Sequence, residues 1–144
     1  EAMSEEFWSK IMQTNLIGAF RCARAASVAL RSASGAIVST ASVAGLGIVG
    51  SSIAYGASKA GLINLTRSLA QALAPDVRVN AVAPGLVRTP WTDPWPDERK
   101  AQGISDSLLD RMVEPEEIAA AMLFLACNRA ITGQTIAVDC GRKG

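Results

Sequence analysis

Three short runs dominated by β-branched and small apolar residues, Ala36–Ser42 (AIVSTAS), Val77–Ala83 (VRVNAVA) and Thr135–Asp139 (TIAVD), alternate with stretches whose apolar residues recur at helical spacing. Turn residues bound them: Ser34-Gly35 before the first, Pro75-Asp76 before the second and Pro84-Gly85 after it. Strands this short and this apolar suit a sheet covered on both faces. Strands alternating with helices are joined by right-handed crossovers and lie parallel, so the chain is expected to form an α/β layer fold.

The helical stretches have clear limits. Ser4 to about Arg31 reads as one long helix, with Ser4 as cap, Glu5 and Glu6 in its first turn, and Gly18 as its expected weak point. A second helix spans Ile53 to Ala74, after a glycine-rich loop reaching about Ser52. A third starts at Glu114-Pro115-Glu116-Glu117, with proline near the first helical position, and runs to about Cys127. Leu86 to Gly103, with its prolines, Trp91 and Trp95, reads as a long irregular excursion, of the kind that is either a functional lid or disordered. The chain opens on Glu1 rather than Met and enters directly at a helix, so we expect further sequence upstream.

Composition removes several function classes. Among 144 residues, 49% are apolar and the net charge is +1, which suits one globular domain or part of one and gives no footing for nucleic acid. There is no histidine, which excludes Ser-His-Asp, Cys-His and H-E-x-x-H chemistry and leaves acid–base work to Tyr, Lys, Asp, Glu or Cys. Cys22, Cys127 and Cys140 are scattered, so neither a disulfide framework nor a metal site is expected, and a reducing cytoplasm is the expected compartment. The longest apolar runs are too short or too broken by Ser, Thr and Gly to span a bilayer, so no membrane association is expected.

Two candidate sites stand out. Gly45, Gly47 and Gly50 form a literal G-x-G-x-x-G between a strand and a helix. It begins late after the strand, ends before the helix, and no acid closes the following strand, so it reads as a loop beside a site rather than a phosphate cradle. The second is Tyr55, the only tyrosine, with Lys59 four residues on and on the same helical face. By itself that pair is equally a tyrosine on a helix face beside a solvated lysine.

The surrounding motifs give the pair a context. Asn15-Leu16-Ile17-Gly18, Gly35 to Ser42, Tyr55-x-x-x-Lys59 thirteen residues beyond Ser42, Arg78 to Gly85, and Ile131 to Asp139 follow one another along nearly the whole chain. In this order they resemble the C-terminal half of a short-chain dehydrogenase/reductase. The resemblance implies a Rossmann-like parallel sheet with flanking helices whose N-terminal half is missing, residues 1–144 being the C-terminal part of a single domain. It implies a hydride transfer between NAD or NADP and a small carbonyl or alcohol substrate, by a tetrad of Asn15, Ser42, Tyr55 and Lys59.

In that scheme Tyr55 gives a proton to the substrate oxygen or takes one from it, and Ser42 holds the same oxygen with a second hydrogen bond. A free phenol titrates near pH ~10, so Tyr55 needs a neighbouring cation, which Lys59 supplies. The resemblance also gives Lys59 and Tyr55 contacts to the nicotinamide ribose, gives the Asn15 backbone a water linking Lys59 to solvent, and places Pro84, Gly85, Val87 and Thr89 at the carboxamide end of the nicotinamide. Asn15 is otherwise a polar helix residue bonded locally. Asn80 is expected to hold the fold through nearby backbone.

Further readings stay open. Trp91 and Trp95 could wall a substrate pocket, pack the lid on the body or meet another subunit. From Phe7 to Pro75 there is no acid, while Lys10, Arg21, Arg24, Arg31, Lys59 and Arg67 are basic; this suits an anionic dinucleotide or acidic carrier. Equally, these residues lie on helices that the resemblance packs against another subunit, implying a homo-oligomer, dimer or tetramer, for the full-length protein. Cys140 and a short loop at Asn128–Ala130 depart from the family pattern. The family's glycine-rich first half is absent, which would leave strand Ala36–Ser42 with an exposed edge, and residues 1–144 alone are expected to be inactive and poorly soluble. The competing functions are a non-catalytic nucleotide-binding or scaffold protein of the same fold, and an amidohydrolase pairing Ser58 or Ser42 with Lys59.

Overall fold

The computed structural model describes residues 3–47 and 51–143. The expected N-terminal helix is continuous to Ser32 but not uniform: α1 (Glu5–Met12) passes through a π turn (Gln13–Ile17) into α2 (Gly18–Ser32). Ser4 caps it, its hydroxyl accepting from Phe7 N at 3.1 Å. Strand β1 (Ala36–Thr40) follows, then a 3₁₀ turn (Val43–Leu46), helix α3 (Ile53–Leu73) and strand β2 (Arg78–Pro84). Helix α4 (Asp97–Ser105), helix α5 (Pro115–Cys127) and strand β3 (Thr135–Val138) complete the chain.

The three strands form one parallel sheet in the order β1-β2-β3, with Ala36 opposite Arg78 and Ala81 opposite Thr135. Because side chains alternate along a strand, β2 meets a different layer on each face. Val79, Ala81 and Ala83 point to α3, where they pack with Ile63, Ala70 and Leu73. Arg78, on the opposite face, reaches the C-terminal end of α5 and donates to the carbonyls of Leu125, Ala126 and Asn128 at 2.6–2.9 Å. A cation there satisfies carbonyls that the helix leaves unpaired. Asn80 is fully buried and bonds only backbone, Ile131 O and Gln134 N, the fold-keeping role expected of it.

Two expectations need correction. Ala36–Ser42 is not a fully buried strand: β1 ends at Thr40 and is only half-buried, because among the described residues it pairs on one side alone. The stretch from Leu86 to Gly103 is not irregular throughout. Asp97 and Glu98 open α4, two carboxylates at the end of a helix that favours negative charge.

Candidate active site

Ser42 and Lys59 meet the C-terminal end of β1, with Tyr55 beside Lys59 and Asn15 joined to the same helix through Ser58. Ser42 lies just past the strand, caps the 3₁₀ turn, and accepts from Ala44 N at 3.2 Å. Tyr55 stands in the first turn of α3, which Ser52 caps by accepting from Tyr55 N at 3.3 Å. One turn later Lys59 reaches back, its Nζ donating to the Thr40 carbonyl at 2.7 Å and lying 5.5 Å from the centre of the Tyr55 ring. Partial burial pushes the Lys59 ammonium below its ordinary value, since desolvation disfavours the charged form.

Asn15 arrives from the π turn. Its Nδ2 donates to Ser58 Oγ at 3.0 Å, and Ser58 Oγ donates to the Tyr55 carbonyl at 2.8 Å. Ser58 is completely buried, which removes it as an exposed nucleophile beside Lys59. The sequence offered Ser58 only as a nucleophile of the competing amidohydrolase reading; its link to Asn15 spans 43 residues and leaves no local signal.

The glycine motif has a packing explanation. A Cβ at Gly45 would lie 2.6 Å from the Lys59 carbonyl carbon and 2.8 Å from Ala60 N, so the 3₁₀ turn rests directly on the α3 backbone. Gly47 caps that turn in the left-handed region, at φ 93°. Gly50 lies outside the described residues.

The second group follows β2. Pro84 ends the strand, and Gly85 N donates to Val138 O at 3.0 Å. A Cβ at Gly85 would fall 2.8 Å from Asp139, so that glycine is explained by the neighbouring strand end alone. Val87 bridges Val113 through its neighbours' peptide groups, Arg88 N to Val113 O and Val113 N to Leu86 O. Its own groups therefore point away. Its carbonyl accepts from Thr92 Oγ1 at 2.9 Å, while among the described residues its N–H has no internal partner. Thr89 N donates to the same Thr92 Oγ1 at 3.0 Å, leaving the Thr89 hydroxyl without an internal partner among those residues. Thr92, buried and bonded to both, pins this segment and went unnoticed in the sequence.

The excursion beyond is tied down at its base. Arg88 pairs with Glu114 at 3.0 Å, and Arg111 grips both oxygens of Glu117 at 2.7 Å. That guanidinium, helped by the N–H of Glu114, holds the Glu117 carboxyl down at about 2. Trp91 is 79% exposed, whereas Arg99 lies over the Trp95 ring at 3.7 Å. A groove of about 680 Å³ between the long N-terminal helix and α3 is lined by Leu16, Phe20, Gly61 and Leu65 among others, and contains none of Asn15, Ser42, Tyr55 and Lys59. Among the described residues no three of His, Cys, Asp and Glu cluster as metal ligands, and no helix is long and apolar enough to cross a membrane.

A parallel sheet with polar groups gathered beyond the carboxyl ends of its strands is the arrangement by which α/β proteins bind ligands. The family model described as enoyl-(acyl carrier protein) reductase matches residues 1–143. The 3-oxoacyl-[acyl-carrier-protein] reductase of Thermotoga maritima is 38% identical over 96% of this chain and 58% of its own length. The short-chain dehydrogenase/reductase homolog YusR of Bacillus subtilis is 41% identical over 87% of this chain and 97% of its own. Among solved structures, a 3-oxoacyl-[acyl-carrier protein] reductase from Brucella melitensis superposes with a TM-score of 0.91 at 34% identity, covering 97% of this chain and 54% of that one. A 4-hydroxyisoleucine dehydrogenase complexed with NADH gives 0.90 at 30% identity, covering 96% and 60%. The chain therefore belongs to the short-chain dehydrogenase/reductase family, and it spans little more than half the length of the reductases it matches.

Proposed function

We propose that this chain supplies the proton-transfer and substrate side of an NAD- or NADP-dependent oxidoreductase that interconverts a small carbonyl compound and its alcohol. The observation that carries the reading is the placement of Lys59: its ammonium is tethered to the Thr40 carbonyl, two residues before Ser42, and lies beside the Tyr55 ring. The Lys59 ammonium stands beside the proton carrier, and the hydroxyls of Tyr55 and Ser42 are suited to share one substrate oxygen. Tyr55 protonates that oxygen during reduction and deprotonates it during oxidation. When bound, the nicotinamide supplies or accepts the hydride.

The donor set suits the nicotinamide end of a dinucleotide. The N–H of Val87, without an internal partner among the described residues, and the hydroxyl of Thr89 follow β2, matching the hydrogen-bonding needs of a carboxamide, and Lys59 and Tyr55 offer donors to ribose hydroxyls. Pro84 and Gly85 shape the turn from which these groups project. Asn15 joins the site through Ser58, which bonds the Tyr55 carbonyl, its π turn lying against α3. We further propose that the part of the reductases this chain does not match carries the rest of the dinucleotide site, so that residues 1–144 alone bring about no turnover. For the full-length protein we propose a cytoplasmic homo-oligomer acting on small molecules.

The test is nicotinamide oxidation by the full-length protein over a panel of carbonyl compounds, with residues 1–144 expressed alone as one arm. Tyr55→Phe is expected to lower turnover by about 100-fold or more while nucleotide binding is kept. Parental turnover in Tyr55→Phe would sink the proton-transfer assignment, and turnover by residues 1–144 alone would sink the division of the site. Nucleotide binding with no carbonyl reduced would favour a non-catalytic nucleotide-binding or scaffold protein.

A further inference from the structure

We infer that Ser58, which lies outside the proposed quartet, is a positioning residue that locks the π turn of the N-terminal helix to the turn of α3 that carries Tyr55. This rests on the proton-transfer reading given above. Ser58 is fully buried, and its one hydroxyl spends both its functions at the site: Oγ accepts from Asn15 Nδ2 at 3.0 Å and donates to the Tyr55 carbonyl at 2.8 Å. The hydroxyl therefore ties together two residues proposed for the chemistry while touching no reactant.

The surrounding packing shows why the lock is placed there. A π turn inserts an extra residue into the helix, and such bulges concentrate at functional sites because they re-aim side chains. Here the bulge turns two consecutive residues toward α3. Leu16 enters the space at Gly61, where a Cβ would lie 2.9 Å from Leu16 Cδ2, and Asn15 meets Ser58. Ser58 and Gly61 are three apart on α3 and so share one face. The apolar contact sets how closely the two helices approach, but it has no direction. The Asn15–Ser58–Tyr55 chain supplies direction, because hydrogen bonds weaken steeply when misaligned. Losing the Ser58 hydroxyl would leave the Asn15 amide and the Tyr55 turn free to move independently, and small displacements of a proton carrier are costly to rate.

The test uses the full-length protein and the pair Ser58→Ala and Ser58→Cys, the second keeping nearly the size of serine should the first fail to fold. Either variant is expected to lower kcat about 10-fold with KM nearly unchanged, and to move the pH–rate profile. The side-chain amide protons of Asn15 should exchange with solvent faster in the NMR spectrum. That readout needs neither substrate nor cofactor. With Asn15→Ala already in place, Ser58→Cys should add little, since the two act as one unit. Unchanged kcat, pH profile and Asn15 exchange in a folded variant would overturn the positioning role. Failure of the proton-transfer reading would show separately, as parental turnover in Tyr55→Phe.

Discussion

The turns gathered at the C-terminal end of β1 and the excursion between β2 and α5 are held by different physics. Around β1 the contacts are close-packed: the 3₁₀ turn sits on the α3 backbone at Gly45, the Leu16 side chain fills the gap at Gly61, and Ile63, 7% exposed, packs with Ala41, Ala81 and Ala83, next in the chain to Ser42 and Pro84. In the excursion most ties are surface ion pairs and single hydrogen bonds, Arg88 to Glu114, Arg111 to Glu117 and Lys143 to Asp106, and Trp91, Leu108 and Leu109 are left largely exposed. The groups proposed to transfer the proton stand on the close-packed part, where a one-methylene change is felt. Groups that would meet a variable substrate stand on the part that can adapt.

That contrast can be broken by substitution. Ile63→Ala, on the packed side, should cost about 2–5 kcal/mol in chemical denaturation, as other buried Ile and Leu truncations do. A loss well under that range would mean the layer beneath Ser42 is looser than its burial indicates. Glu117→Gln, at the base of the excursion, acts through pH. The folded carboxyl sits at about 2 against an ordinary 4.5, so its contribution is complete above about 4.5 and is lost as pH falls toward about 2. Denaturation measured across that window should lose part of its acid slope in Glu117→Gln, and an unchanged slope would show that Arg111 and Glu117 separate in solution as easily as other surface pairs. Trp91→Ser should alter stability least, within about 0.5 kcal/mol. A cost above about 1 kcal/mol would move the excursion into the class of packed elements.

Much of this was legible in the chain. The α/β order, the three parallel strands and the long helices follow from periodicity and from punctuation by Gly and Pro, and they hold to within a residue or two apart from the shortened β1. Asn15, Ser42, Tyr55 and Lys59 came from the family resemblance; in the structure Lys59 reaches the Thr40 carbonyl two residues before Ser42, and Asn15 joins the Tyr55 turn through Ser58. What could not be read depends on neighbours distant in sequence. Ala36–Thr40 has the composition of a buried strand; the family resemblance already implied its exposed edge, but only pairing shows that it stops at Thr40 and is half-buried. The π turn left a trace in Gly18, flagged as a weak point, but the bulge falls just before it, where Asn15 and Leu16 meet α3. The short helix α4 was hidden by flanking prolines that made the whole stretch look irregular.

The contact between Gly45 and the Lys59 backbone bears on how mutational maps of this protein would read. Any side chain placed at Gly45 displaces the peptide that carries the lysine. A scan scored by activity would rank Gly45 among the residues that perform the chemistry, and a search for phosphate-binding glycines would accept the same position for its spacing. Both would mistake a bearing surface for a working part. Measuring nucleotide affinity and turnover separately in Gly45→Ala would tell the two apart, because loss of a phosphate cradle lowers affinity first, whereas a shift of the Lys59 peptide is expected to lower turnover more than affinity.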